Sequence, residues 1–289
     1  MKVKQLLKVG SDYLNDRENS LLDCEVLLSY ILGVDKEYLI SNSGLEVGDD
    51  LTLLFDRYMD RIKAGEPVEH ITGEKEFFGL SFFVDNRVLI PRPETEMLVE
   101  KVNDFIENFW DTEKKFRILE VGTGSCNIPV AIAKYFEDKS LDLIDEIIAL
   151  EIDESALEVA KVNVDQYGLE DKISLFQSDL LEVVEEDEFY DVIVANLPYI
   201  GEVKNRFIAY STEEFEPNLA LFGGDTGLEL YENMFREIKD KNINFELLMG
   251  EFGFAQSEAM QELLAKYFKN FEIIKDLAGI DRIFVVKSN

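Results

Sequence analysis

The apolar positions of this chain keep a helical period up to about residue 75 and a different rhythm after residue 115. In "LLDCEVLLSYILG" (21–33), Leu21, Leu22, Val26, Leu27, Tyr30 and Ile31 fall near one stripe, and the run stops at Gly33, a helix-ending residue. "DDLTLLFDRYMDRIKAGEP" (49–67) repeats the pattern and ends at Gly65 and Pro67. Residues 1 to about 75 are therefore predicted as a small helical bundle. In 76–100, aromatic and β-branched runs on either side of Asp85-Asn86 predict a hairpin linking two domains, with Phe77, Phe78, Phe82 and Phe83 alternating as core residues. Pro91 and Pro93 interrupt it, and Glu94-Thr95-Glu96 places acids in the first turn of a helix.

From residue 116 strand-like runs occur at 116–121, 146–152, 173–177, 190–196 and 243–250. Helical patterns at 126–137, 153–167 and 226–240 lie between them, the alternation of a parallel sheet covered on both faces. After a helix at 255–270, runs at 271–276 and 282–287 flank "LAGID", a spacing suited to an antiparallel hairpin at the sheet edge. The predicted class is α/β: a mostly parallel seven-stranded sheet with an antiparallel terminal hairpin, preceded by the helical bundle.

Composition narrows the chemistry. Of 289 residues, 46% are hydrophobic and 31% charged, which describes an ordered globular chain. No apolar run approaches the roughly 20 residues of a membrane span, and no apolar signal core precedes the first acids, so a cytoplasmic protein is expected. Cys24 and Cys126 are too few for a disulfide framework, and His70 is the only histidine. A metal site or a histidine-based triad thus lacks material, and His70 is expected to pack or cap. The formal charge of −31, from 60 acidic and 29 basic residues, repels phosphate backbones, and no basic run exceeds Lys114-Lys115. Neither stable nucleic-acid binding nor membrane attachment is expected.

"RILEVGTGSCNIPVAIA" (117–133) reads as strand, glycine-rich turn and helix. Gly122 and Gly124 allow close backbone approach to a ligand, and the helix start offers free N–H groups. The spacing matches neither the dinucleotide fingerprint nor a P-loop. Glu120, just before the turn, would repel a pyrophosphate but attract the cationic methionyl group of S-adenosylmethionine. Glu151 ends the second strand, placed for ribose hydroxyls, and Asp179 with Leu180 ends the third, suited to an adenine edge and face. Each acid alone reads equally well as a helix cap or solvated turn; three at successive strand ends mark where ligands of open α/β sheets sit.

The fourth strand, in "YDVIVANLPYI" (190–200), ends on an amide, a proline and a ring. Such a turn can grip a planar amide: the Asn196 side-chain oxygen and the Leu197 carbonyl each accept one N–H, Pro198 shapes the turn, and Tyr199 walls the plane. Holding both N–H groups aims a poorly nucleophilic nitrogen and stabilises positive charge forming on it, without a general base.

"LIPRPETE" (89–96), "LEVGTGSC" (119–126), "ANLPYI" (195–200), "EPNLALFGGDTGL" (216–228) and "DLAGIDR" (276–282), in this order, closely resemble the HemK-like protein-glutamine N5-methyltransferases. These modify the glutamine of the Gly-Gly-Gln motif in peptide chain release factors. The resemblance implies a class I, Rossmann-like methyltransferase domain over 94–289, a hairpin linker over 76–93 and an N-terminal domain over 1–75 that docks the protein substrate. It implies that Glu120, Gly122, Thr123, Gly124, Ser125 and Cys126 line S-adenosylmethionine, that Glu151 holds its ribose, and that Asp179 and Leu180 flank its adenine. Asn196, Leu197, Pro198 and Tyr199 would grip the glutamine, with Asn196 also near the methyl donor. Pro91 and Arg92 would border the substrate entrance, and Glu216 with Gly223-Gly224 would shape its wall. Two positions depart from the pattern: Leu197 stands where the family usually has proline, and Cys126 where it usually has glycine. The Asn-Leu-Pro-Tyr form also occurs in rRNA adenine dimethyltransferases, which leaves an adenine-N6 methyltransferase of RNA or DNA as the alternative.

Overall fold

Helices occupy the N-terminal residues and a strand–helix alternation the rest, in a computed structural model that describes residues 1–15, 17, 19–109, 113–203 and 210–288. The described residues form two compact units: Met1–Glu74 with the helix Tyr210–Phe215, and the remainder from Lys75 onwards. In the first unit, α1 (Val3–Tyr13), α2 (Ser20–Leu32), α3 (Lys36–Ser41), α4 (Asp49–Lys63) and α5 (Val68–Thr72) enclose Leu6, Leu27, Leu28, Phe55, Met59 and Ile62. Gly33 ends α2 in the left-handed conformation, as its type predicts. The buried face of α2 is only partly the predicted one: Leu27 is buried and Val26 and Ile31 pack against the core, but Cys24 and Leu28 are buried as well, whereas Leu21, Leu22 and Tyr30 are exposed. The helix is apolar nearly all round, so spacing alone could not choose its face.

The second unit begins with a hairpin of β1 (Glu74–Phe77) and β2 (Leu80–Phe83). Its turn is Phe78-Gly79, not Asp85-Asn86. Both turn residues have positive φ, 53° and 73°, the two-residue geometry whose twist matches that of paired strands. Asp85 instead accepts the backbone N–H of Arg87 (3.0 Å) and pairs with its guanidinium, folding a local polar turn. Phe77 and Phe82 are buried in the core of this unit.

After α6 (Glu96–Glu107) come β3 (Phe116–Val121), α7 (Asn127–Asp138), β4 (Ile144–Glu151), α8 (Glu154–Tyr167), β5 (Ile173–Gln177) and β6 (Phe189–Ala195). Then follow α9 (Tyr210–Phe215), α10 (Asn218–Leu221), α11 (Glu229–Asp240), β7 (Asn244–Glu251), α12 (Ser257–Tyr267), β8 (Phe271–Lys275) and β9 (Asp281–Lys287). The seven-stranded sheet has the order β5-β4-β3-β6-β7-β9-β8, parallel up to β7 and antiparallel through β9 and β8.

Strand side chains alternate between two cores. Ile118, Val192 and Val194 pack with α6, α7 and α8 on one face; Leu119, Val121, Ile193 and Ala195 pack with Tyr231, Met234, Phe235 and Met260 on the other. Double burial explains the continuous apolar runs of β3 and β6, each buried Leu, Ile or Val contributing about 1.5–3 kcal/mol. Successive strands are added outward in one direction from β3 to β5 and in the other from β6 onwards, and β3 and β6 pair in parallel with Glu120 beside Val194 and Val121 beside Ala195. Residues far apart in sequence thus end side by side at a topological switch point.

Candidate active site

A cleft of about 1140 Å³, counting space open to solvent, lies at these strand ends. It is lined by Glu120 through Ser125, by Glu151, Asp179 and Leu180, by Asn196, Leu197 and Pro198, and by Pro91 and Arg92. The predicted site residues therefore converge, with two exceptions, Cys126 and Tyr199.

The β3 end turns through Gly122 (φ +78°), whose N–H, like that of Thr123, donates to the Leu150 carbonyl (2.9 Å each). A Cβ at Gly122 would also come within 2.9 Å of Leu197, so a side chain there is excluded twice. Glu120 is buried and accepts the Thr123 hydroxyl. Burial, with Glu151 nearby, pushes its pKa up to about 8. A buried acid whose ionisation is disfavoured in this way is suited to a neighbouring positive charge, which would favour the carboxylate.

Glu151 is engaged by its own neighbourhood. Its carboxylate accepts N–H groups from Gly124 (2.9 Å), Ile152 (2.9 Å) and Asp153 (3.1 Å), while burial raises its pKa. One lone pair on Oε2 is left for a ligand hydroxyl. Asp179 is exposed at the rim, and Leu180 is buried with φ +46°, its carbonyl accepting the Ser178 hydroxyl at 2.9 Å. Cys126 is the first exception. It is fully buried, caps α7 at φ +62° and does not line the cleft, so it shapes the loop from behind. That left-handed conformation accounts for the glycine usual at this position, since glycine alone adopts it without strain.

The turn after β6 is held from outside itself. Asn196 donates through Nδ2 to the Thr95 hydroxyl (3.1 Å), which donates to Glu251 (2.7 Å). The Leu197 N–H donates to the Tyr231 hydroxyl (3.3 Å), and that hydroxyl donates to the Glu251 carbonyl (2.5 Å). Among the described residues neither Asn196 Oδ1 nor the Leu197 carbonyl accepts a hydrogen bond. Two acceptors at the cleft wall are left unused.

Tyr199 is the second exception. Its hydroxyl donates to Glu251 (2.9 Å) and its ring packs beside Gly253, so it braces the turn and does not wall the cleft. Its carbonyl accepts Gln256 Nε2 (2.8 Å). The segment 222–227 presses against the same turn: a Cβ on Gly223 would lie 2.1 Å from the Pro198 oxygen, and one on Gly227 would lie 2.0 Å from the Tyr199 oxygen. Glu216 is not a wall residue but a clamp, accepting the Ile90 N–H (3.0 Å) and pairing with Arg92 (2.5 Å) to hold 90–92 at the rim. The wall itself comes from Pro217, Leu219, Ala220 and Phe222.

Comparison with known proteins places this geometry. The family model described as "PrmC N-terminal domain" matches residues 5–73, and that of an RMKL-like methyltransferase domain matches 109–206. The release factor glutamine methyltransferase of Koribacter versatilis is 32% identical over 287 residues, covering 99% of this chain and 98% of that one. The Bacillus subtilis protein of the same name is 33% identical over 285 residues, covering 96% and 95%. The chain belongs to the release factor glutamine methyltransferases. The catalytic domain of hMettl16, solved with a MAT2A 3′UTR hairpin, shares the fold at a TM-score of 0.57 and 16% identity, covering 90% of each chain.

Several residues of this family member escaped the sequence reading. Glu251 carries the same signal as Glu120 and Glu151, an acid closing an apolar strand, and lies one residue beyond the strand predicted over 243–250. Asn163, fully buried on α8, bonds both backbone groups of Phe83 (2.7 and 3.0 Å) and the Ser125 carbonyl (2.8 Å), tying hairpin to loop. Tyr231 and Gln256 give no local signal of this role, because the groups of the turn and of β7 that they hold lie 20 to 57 residues away. No described helix is long and apolar enough to cross a membrane.

Proposed function

We propose that this methyltransferase transfers a methyl group from S-adenosylmethionine to the side-chain nitrogen of the glutamine in the Gly-Gly-Gln motif of peptide chain release factors. The observation that carries the reading is the Asn196–Leu197 pair of unused acceptors, set beside a glycine-rich loop that starts next to a buried acid. A planar amide nitrogen has two N–H groups to offer such a pair and no strongly basic lone pair. Asn196 Oδ1 and the Leu197 carbonyl would hold those groups, aim the nitrogen and favour the positive charge that builds on it. The extra proton leaves after transfer, so no histidine or tuned base is needed.

The residues present fit the cofactor. Gly122 through Ser125 offer a close backbone approach, Glu120 suits a cationic centre, Glu151 keeps a lone pair for a ribose hydroxyl, and Asp179 with Leu180 offers a polar edge and an apolar face. When bound, that cofactor supplies an electrophilic methyl on a sulfonium. Cys126 supports the loop without contact, Tyr199 stiffens the turn, and Pro91 with Arg92 borders the substrate entrance. Leu197 in place of proline leaves the carbonyl acceptor intact, and its side chain packs over Gly122. The N-terminal unit, which carries no catalytic cluster in its sequence, is read as the docking surface for the release factor.

Incubation with labelled cofactor, a purified release factor and structured RNA tests the reading. Label is expected on the release factor, and mass spectrometry of the modified peptide should place one methyl on the glutamine nitrogen. Label on RNA alone would overturn it in favour of adenine methylation, against which the charge of −31 already argues.

A further inference from the structure

We propose that Glu251, which does not line the cleft, is a positioning residue that acts through Thr95 to decide which end of the Asn196 amide faces the substrate. This rests on the reading that the substrate is a planar amide. The two ends of an Asn side chain have nearly the same shape, but only the oxygen end accepts an N–H; the nitrogen end would meet it donor to donor. The Thr95 hydroxyl has a single proton, and Glu251 Oε2 lies 2.7 Å from it. A carboxylate can only accept, so the Thr95 proton points to Glu251 and its lone pair receives Asn196 Nδ2 at 3.1 Å. Glu251 Oε1 accepts the Tyr199 hydroxyl at 2.9 Å in the same way, so one buried carboxylate sets both hydroxyls around the turn.

Burial raises the pKa of Glu251, the two hydroxyl donors and the charge of Arg282 limit the rise, and Glu94 adds to it. Being one of the buried acids of the unit, Glu251 is costly to keep unless its hydrogen bonds are complete, and here both oxygens are engaged. A purely architectural strand end would not need an acceptor-only group at this point.

Glu251→Gln keeps the shape and removes the acceptor-only character. Where the new amide offers its NH₂ to Thr95, the hydroxyl turns its proton towards Asn196, and the Asn196 amide rotates to present its donor end. We expect kcat/KM for the release factor to fall by at least about 30-fold, with cofactor Kd changed less than about threefold. Thr95→Val should lose as much, and Thr95→Ser should recover most of it. In the protein without substrate, the Asn196 side-chain NH₂ resonances, assigned by their loss in Asn196→Asp, should move in both Glu251→Gln and Thr95→Val. Unmoved resonances with near wild-type kcat/KM in Thr95→Val would overturn the proposal, as would a Thr95→Ser variant no better than Thr95→Val. If Glu251→Gln fails to fold, the Thr95 pair decides alone. Absence of release factor labelling by the wild-type protein would sink the functional reading, while the resonances would still judge the positioning role.

Discussion

The two halves of the cleft are built by opposite means. On the proposed cofactor side, the carboxylates are satisfied mostly by their own loops: Glu120 by Thr123, and Glu151 by the N–H groups of Ile152 and Asp153, with one more from Gly124 in the adjacent β3–α7 loop. On the proposed substrate side, the Asn196–Tyr199 turn is held entirely from outside its own stretch, by Thr95, Tyr231, Glu251, Gln256 and the 222–227 segment. A locally closed site tolerates small shifts of the surrounding sheet; a site closed by remote groups registers every one of them. The cofactor side should therefore respond to mutation chiefly in affinity, and the substrate side chiefly in turnover.

The sharpest test of that contrast is Asn196→Ala. Methyl transfer should fall by about 10²–10³-fold, while calorimetric cofactor Kd stays within about threefold; unchanged turnover would break the comparison. Next comes Gly227→Ala, whose Cβ would lie 2.0 Å from the Tyr199 oxygen at a φ of +87°. It should cost about 2–4 kcal/mol in denaturant unfolding and lower turnover by tens of fold, since the turn must move to admit the methyl group.

Glu151→Ala probes the other side. Loss of a charge-assisted bond of about 1.5–3 kcal/mol should weaken cofactor binding by roughly 10–150-fold, with turnover at saturating cofactor changed far less. An unchanged Kd would move the ribose elsewhere.

The smallest effect is a pH dependence through Glu120. Its carboxyl loses a proton near the usual carboxylate range when unfolded but only at about pH 8 when folded. Between those values the folded protein binds the extra proton, so Glu120's contribution to stability falls as pH rises and levels off above about 8. Binding of a cationic cofactor should do the reverse, tightening by about three- to tenfold from pH 6.5 to 8.5 as the carboxylate forms. Glu120→Gln should flatten both trends, read by thermal melts and by binding titrations across that range.

This same division explains what could be read early. The seven strands, the glycine-rich loop, Glu120 and Glu151 are local patterns, visible because the period of the chain and the acids at strand ends lie within a few residues of one another. The Phe78-Gly79 turn was legible in principle, as a glycine between two short aromatic runs, but the polar pair Asp85-Asn86 competed with it. The exact buried face of α2, the placement of Cys126 behind the loop and the bracing role of Tyr199 were not legible. Each depends on which distant surface a residue meets.

By itself the sequence determined the order of elements, the position of the cleft at the ends of β3, β4, β5 and β6, and the chemical types gathered there, since hydrophobic period and glycine placement act through neighbours along the chain. Only the tertiary structure decided which way the Asn196 amide points and which acids stand behind the wall. Hydrogen-bond direction is set by partners in space, and Thr95, Asn196 and Glu251 meet only when the sheet has brought them together.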